Sequence, residues 1–174
     1  MTETTSRLIV EKITVGVEPL AITNIKEFLA QVGKDSPSFA ERTLIKCCQS
    51  GEACILNGGT RPIKESTTTS IRAELLKILI TGGSESCNLH TSGLQLKGAW
   101  IKGKLNLRFS EAQGTTEMEL CHFVQSPDFF QARMQRLNVS GSKFPGLQAY
   151  AIEVKGSFLL NKVISTGEIH LPAA

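Results

Sequence analysis

Few side chains in this chain have the type and spacing to do chemistry. Cys87-Asn-Leu-His90 sets a thiol and an imidazole close together, and Cys121 adjoins His122. Either pair could furnish half of a zinc site, because Zn²⁺ takes Cys sulfur and His nitrogen in tetrahedral sets of four. The competing reading is that a buried thiol behaves as a small hydrophobe and that a lone histidine at a strand end sits in water. We carry the second reading forward: no metal site and no cofactor is expected, with Cys87, His90, Cys121 and His122 as the candidates that would overturn it. Cys47, Cys48 and Cys54 complete five cysteines, an odd number without a framework spacing, which predicts reduced thiols and a cytoplasmic chain.

Catalytic signatures are missing. No Gly-x-Gly-x-x-Gly follows a strand, and Ile80-Thr-Gly-Gly-Ser lacks the spacing and acidic partner of a dinucleotide site, so it reads as a helix stop. Neither a phosphate loop nor a Gly-x-Ser-x-Gly nucleophile turn occurs. Glu117 and Glu119 would share one face of a strand, where a solvated face is the simpler reading than a paired acid and base. Lys97, Lys102, Lys104 and Arg108 flank Trp100 as a basic stripe that could meet phosphate or an acidic surface. Lysines at corners also keep a repetitive fold soluble, and that is the preferred reading. The net charge of +3 is too small for a nucleic-acid footprint.

The elements that must position these residues divide the chain in two. From His122 to Leu171 the sequence can be cut into fives with an apolar centre each: Val124, Phe129, Met134, Val139, Phe144, Ala149, Val154, Leu159, Ile164 and Ile169. A period of five belongs neither to a helix nor to a plain strand. It suits a chain that turns a corner at fixed intervals and points one side chain inward per side, which is a solenoid. Gly141, Gly146, Ala151 and Gly156 stand shortly after their centres, where a corner needs a small or permissive residue. Leu94-Gln-Leu-Lys-Gly and Ala99-Trp-Ile-Lys-Gly are two earlier fives. The frame then slips by one so that Leu107 is the next centre, and the polar segment 110–116 is expected to loop out.

The N-terminal half reads as helical. Residues 1–22 are an extended or disordered arm, and 23–86 form a capping region of about three helices. Asn24 with Glu27 resembles a capping box ahead of Ile25, Phe28, Leu29 and Val32. Asp35-Ser-Pro-Ser starts a second helix, with Pro37 in its first turn; Ala40, Leu44, Cys47 and Cys48 share a face, and Gly51 stops it. A third follows the run 65–70, with Ile71, Leu75, Ile78 and Leu79 at helical spacing. Residues 87–174 then form the β-helix.

Ile71-Arg-Ala-Glu-Leu-Leu, the Gly93 to Leu107 run and Leu120-Cys-His-Phe together resemble a group of bacterial pentapeptide-repeat-like proteins often labelled "membrane-associated oxidoreductase". The similarity spans roughly 55–174. It implies a mainly β fold, a right-handed quadrilateral β-helix with four fives per turn. If so, positions four fives apart stack: Val124 with Phe144 and Ile164, Phe129 with Ala149 and Ile169, Met134 with Val154, and Val139 with Leu159. The position two before each centre, usually small in such repeats, here holds His122, Leu137, Leu147, Ile152 and Lys162, which predicts a less regular coil. No residue supports the oxidoreductase label.

The functional expectation is therefore a non-catalytic protein-interaction scaffold with an unidentified protein partner. The alternative is an enzyme or ligand-binding protein with its site where helices meet coil, near Cys87, His90, Trp100 and His122. Mimicry of nucleic acid against a topoisomerase ranks lowest, because it needs an acidic rod and residues 93–174 carry nine basic against six acidic side chains. No apolar run reaches the roughly 20 residues of a membrane span. Leu171-Pro-Ala-Ala stops in mid-repeat, so the chain is expected either to be a piece of a longer one or to pair with a second copy there.

Overall fold

The computed structural model describes residues 37–82 and 89–172. The expected arm, the helix proposed around Asn24–Gly33 and Cys87 lie outside the described residues. What is described is a β-solenoid of about four turns with two helices. Among the described residues, no helix is long and apolar enough to cross a membrane.

Helix α1 spans Phe39–Ser50. It starts later than expected, because the cap is Ser38, the last residue of the Asp35-Ser-Pro-Ser signal. The Ser38 hydroxyl accepts the Glu41 N–H at 3.0 Å while the Glu41 carboxylate accepts the Ser38 N–H at 2.9 Å. That reciprocal box satisfies two donors that a helix start leaves free, and it puts Pro37 ahead of the helix. Gly51, at φ 81°, ends it as predicted. Ala40, Leu44 and Cys48 are buried and Cys47 is half-buried.

The second helix, α2, is Ala73–Ile80. Ile71 does not belong to it. Ser70–Arg72 instead form strand β2, which lies parallel to Trp100–Lys102 (β4) with Ile71 opposite Ile101. Cys54–Ile55 (β1) likewise pairs with Gly93–Lys97 (β3). The stretch expected to be helical therefore supplies two strands of the first turn. Helix α2 buries every side chain except Glu74 and Lys77, which fits a helix plugged into a core better than an amphipathic one.

The remaining strands are β5 (Thr115–Glu119), β6 (His122–Phe123), β7 (Arg133–Met134), β8 (Arg136–Asn138), β9 (Lys143–Phe144), β10 (Leu147–Gln148), β11 (Glu153–Val154), β12 (Phe158–Leu159), β13 (Ile164–Ser165) and β14 (Ile169–His170). All pair in parallel across successive turns, in four sheets: β1-β3-β5-β8-β12, β2-β4-β6-β9-β13, β7-β11 and β10-β14. The turns are not all of one length. The rung from Arg133 to Glu153 keeps the spacing of four fives. Those from His122 to Lys143 and from Lys143 to Ile164 are longer, and that from Trp100 to His122 is longer again.

That uneven length corrects the predicted columns. Met134 and Val154 are register partners as expected, and the Asp128–Gln148 bridge sets Phe129 beside Ala149. However, Val124 (43% exposed) and Ile164 (44%) face outward, Ile164 lying opposite Lys143 rather than Phe144; Ile169 lies opposite Leu147 rather than Ala149, and Leu159 opposite Asn138 rather than Val139. Phe123 takes the inward place, in an edge-to-face contact with Phe144 at 6.2 Å. The side that ends at Phe129 is one residue longer than five, and Pro127 lies within it, so the frame before Pro127 is displaced by one. In the true frame the position two before each centre also points inward. Cys121, Ala132, Leu137, Leu147 and Ile152 are buried there, so each side buries two side chains where one was expected.

Ser142 occupies the same inward position and is fully buried. Its hydroxyl donates to the Met118 carbonyl at 2.8 Å and accepts the Cys121 N–H at 3.0 Å, which ties two turns together. The segment 110–116 does not loop out. Glu111 bridges to Arg133 and Ala112 is buried, so it forms a fourth side. Leu107 is fully buried, as the slipped frame predicted.

Corners repeat with the turn. Gly98, Leu120, Gly141 and Lys162 form one series of left-handed residues, and Phe109, Gln131 and Ala151 another. Gly98 is required, since a Cβ there would lie 2.2 Å from the Leu56 carbonyl oxygen. Ala151, read with the corner glycines, does adopt φ 54°.

Candidate functional site

The basic stripe resolves into three settings. Lys97 ends β3, opposite Ile55 on one side and Glu119 on the other. Trp100 stacks on His122, with ring centroids 4.0 Å apart and planes 19° from parallel. Lys102 ends β4 with its Nζ 2.6 Å from Glu65 Oε1. Lys104 and Arg108 converge on Asp128 Oδ2 at 3.3 and 3.2 Å.

Asp128 is buried. Burial pushes its carboxyl up, but the Phe130 N–H, Lys104 and Arg108 outweigh that and hold it below the usual carboxylate range. Arg108 also lies over the Phe130 ring, 4.5 Å from its centroid, in a cation–π contact. Phe109, Phe130 and Tyr150 form a ladder up one corner, edge-to-face at 5.5 Å and then stacked at 6.1 Å. Neither Asp128 nor this ladder was singled out from sequence, although each aromatic follows the last by about one turn of chain.

The metal candidates are not gathered. Cys121 points inward and donates its thiol to the Glu119 carbonyl, with Sγ at 3.3 Å, while His122 points outward onto Trp100. His90 Nδ1 is 2.9 Å from the Ser92 hydroxyl. Among the described residues, no group of three or more His, Cys, Asp or Glu is placed to hold a metal ion. Burial pushes the Cys121 thiol up to about 12 and also raises that of Cys54, so both stay protonated at neutral pH and are poor nucleophiles. Glu117 is held by Arg136, Nε to Oε1 at 3.4 Å.

The alternative reading put a site near Cys87, His90, Trp100 and His122; among the described residues, none of these lines the cleft of about 520 Å³ at the helix–coil junction. Ser38, Glu41, Glu65, Ser70, Arg72 and Lys102 line it. Glu41 is the centre of this arrangement. Its Oε1 accepts the Arg72 backbone N–H at 3.0 Å and Nε at 2.8 Å, and its Oε2 accepts Nη2 at 2.6 Å. Burial raises the Glu41 carboxyl, yet the Arg72 guanidinium and the Ser38 and Arg72 N–H groups prevail, so it lies below the ordinary value. Sequence reading missed this pair because Glu41 and Arg72 stand far apart in the chain, on different elements.

His122 completes the inventory. Burial lowers its pKa, and Lys143 and Arg61 lower it further, against a hydrogen bond to the Pro62 carbonyl that favours the proton. Arg61 in turn donates to the Gly141 carbonyl at 2.6 Å, which fixes the segment around Pro62 over this face. Compared with protein-family models, with curated proteins and with solved structures, the chain matches none.

Proposed function

We propose that this chain is a non-catalytic interaction scaffold, a right-handed quadrilateral β-helix of the pentapeptide-repeat-like kind, which engages protein through its last described turn. Four parallel ladders and sides close to five residues support the four-sided form. The observation that carries the functional reading is the contrast in burial between turns. Leu147 and Ala149 are fully buried, whereas Ile169, the register partner of Leu147, and Leu171 are 37% and 44% exposed. Phe158, Leu159 and Leu160 of the same turn are only half-buried. An apolar row along sheet edges is a template for pairing.

A second copy is the occupant this surface suits. Its own last turn presents the same row and the same strand spacing, in a self-complementary two-fold contact. On the first turn, Ser38 and Glu41 bond the edge of β2 and leave it closed to such pairing. Light scattering on the purified chain should give twice the mass of one 18.9 kDa chain. Replacing Ile164 and Ile169 together by Lys should return the single-chain mass with an unchanged circular dichroism spectrum. A wild-type chain that stays single across the accessible concentration range would remove the dimer.

A further inference from the structure

The cleft at the helix–coil junction goes beyond the scaffold reading and stands independently of it. Arg72 and Lys102 are register partners on β2 and β4, which places two cationic side chains on neighbouring rungs, about 4.8 Å apart at the backbone. The charge of Arg72 is balanced by Glu41, buried to 1% exposure. The charge of Lys102 is balanced by Glu65, and that pair is of another kind: both side chains are half exposed. Exposed pairs hold weakly and yield to competing ions. Glu65 therefore shows that an oxyanion fits on Lys102 and is held there loosely.

A second observation points to the same place. Ser70, which lines the cleft and is 8% exposed, ends in a buried hydroxyl without a hydrogen-bond partner. The indole N–H of Trp100, its register partner on β4 beside the cleft though not in its lining, is likewise buried without one. Orphaned donors of this sort are rare in folded interiors and call for an acceptor. The cleft volume of about 520 Å³ falls within the range of small-molecule sites. Its lining is charged and hydroxylated, which suits a polar ligand.

We propose that this cleft binds a small polar molecule through an oxyanion, carboxylate or phosphate, which displaces Glu65 from Lys102 and takes the Ser70 hydroxyl as donor. Glu65 acts as an internal competitor for the site.

The test is a titration of the full chain, followed by ¹⁵N–¹H spectroscopy, with inorganic phosphate and with acetate in separate arms, each against sodium chloride at matched ionic strength. The amides of Ser70 and Lys102 and the indole of Trp100, the chain's one tryptophan, are the reporters. A saturable shift in one arm, absent with chloride, identifies the oxyanion. Lys102→Gln should weaken it about tenfold or more, the scale of a lost charge-assisted hydrogen bond. Glu65→Gln should tighten it several-fold by removing the competitor. Both positions are half exposed, so neither variant threatens the fold. Shifts that never saturate, or that chloride reproduces, overturn the proposal. So does saturable binding that Lys102→Gln leaves unchanged, or that Glu65→Gln weakens.

Discussion

The two ends of the described solenoid solve the same problem differently. At the first turn, the outer edge of β2 is finished by side chains: the Ser38 hydroxyl donates to the Ser70 carbonyl at 2.9 Å, and the Arg72 N–H donates to Glu41 Oε1 at 3.0 Å. The capping box of one helix thus doubles as the missing strand. At the last turn the rungs β12, β13 and β14 carry half-buried and exposed apolar side chains, and no described element lies over them. A sheet edge need not be covered by another strand; two polar side chains at the right spacing suffice. The closed edge commits a buried carboxylate with its counter-ion, whereas the last described turn carries apolar side chains that no described element covers.

The sharpest way to test the contrast is to remove the same kind of side chain from an interior turn and from the last one. Phe144→Ala should cost about 3–5 kcal/mol in urea unfolding, because Phe144 is 1% exposed and its loss leaves a cavity under Phe123. Ile169→Ala, at an inward position of the last described turn but 37% exposed, should cost less than about 1 kcal/mol. Equal losses would mean that the last turn is as well packed as the interior, and the comparison would collapse.

The closed end is next. Glu41→Gln keeps the shape but removes the charge opposite Arg72, whose side chain retains 28% exposure. Breaking a buried pair on one side costs about 3–5 kcal/mol, and the lower value is expected here because water reaches the arginine. Ser38→Ala removes a cap and the hydrogen bond to the β2 edge, for about 1 kcal/mol. If Glu41→Gln cost no more than Ser38→Ala, the carboxylate would be a helix cap alone and not an edge closure.

How far the sequence disclosed this molecule depended on distance along the chain. Helix α1 was legible because its cap, box and stop all lie between Ser38 and Gly51, although its start was set too early. The solenoid was legible because its period is local. Its frame failed at two points: an extra residue before Phe129 moves Val124 out and Phe123 in, and another after Val154 sets Leu159 opposite Asn138 and Ile164 opposite Lys143. Strand β2 was missed because Ile71 also fits helical spacing, and only a partner a full turn away, Ile101, makes it a strand. The cleft was beyond reach for the same reason: Glu41, Glu65, Arg72 and Lys102 meet only after α1 has docked on the first turn.

The smallest expected effect is one of pH, and it separates the outer face from both ends. His122 sits against Trp100 with Lys143 and Arg61 nearby, and burial and these cations disfavour its protonated form. The folded chain therefore binds this proton less readily than the unfolded chain, whose histidine titrates at about 6.5. Stability is untouched well above that value and falls as the pH drops through it, because the unfolded state gains the proton first. Glu41 acts in the same direction but lower, losing its contribution only as the pH falls through a pKa held beneath 4.5. A scan from neutral to mildly acidic pH thus separates His122 from Glu41. His122→Phe keeps a ring on Trp100 and removes the titration, so its melting temperature should vary less with pH across that window than the wild type's. Superimposable slopes would show that the Trp100–His122 stack accommodates the charge, for instance as a cation over the indole, and that the face between the two ends is indifferent to protonation.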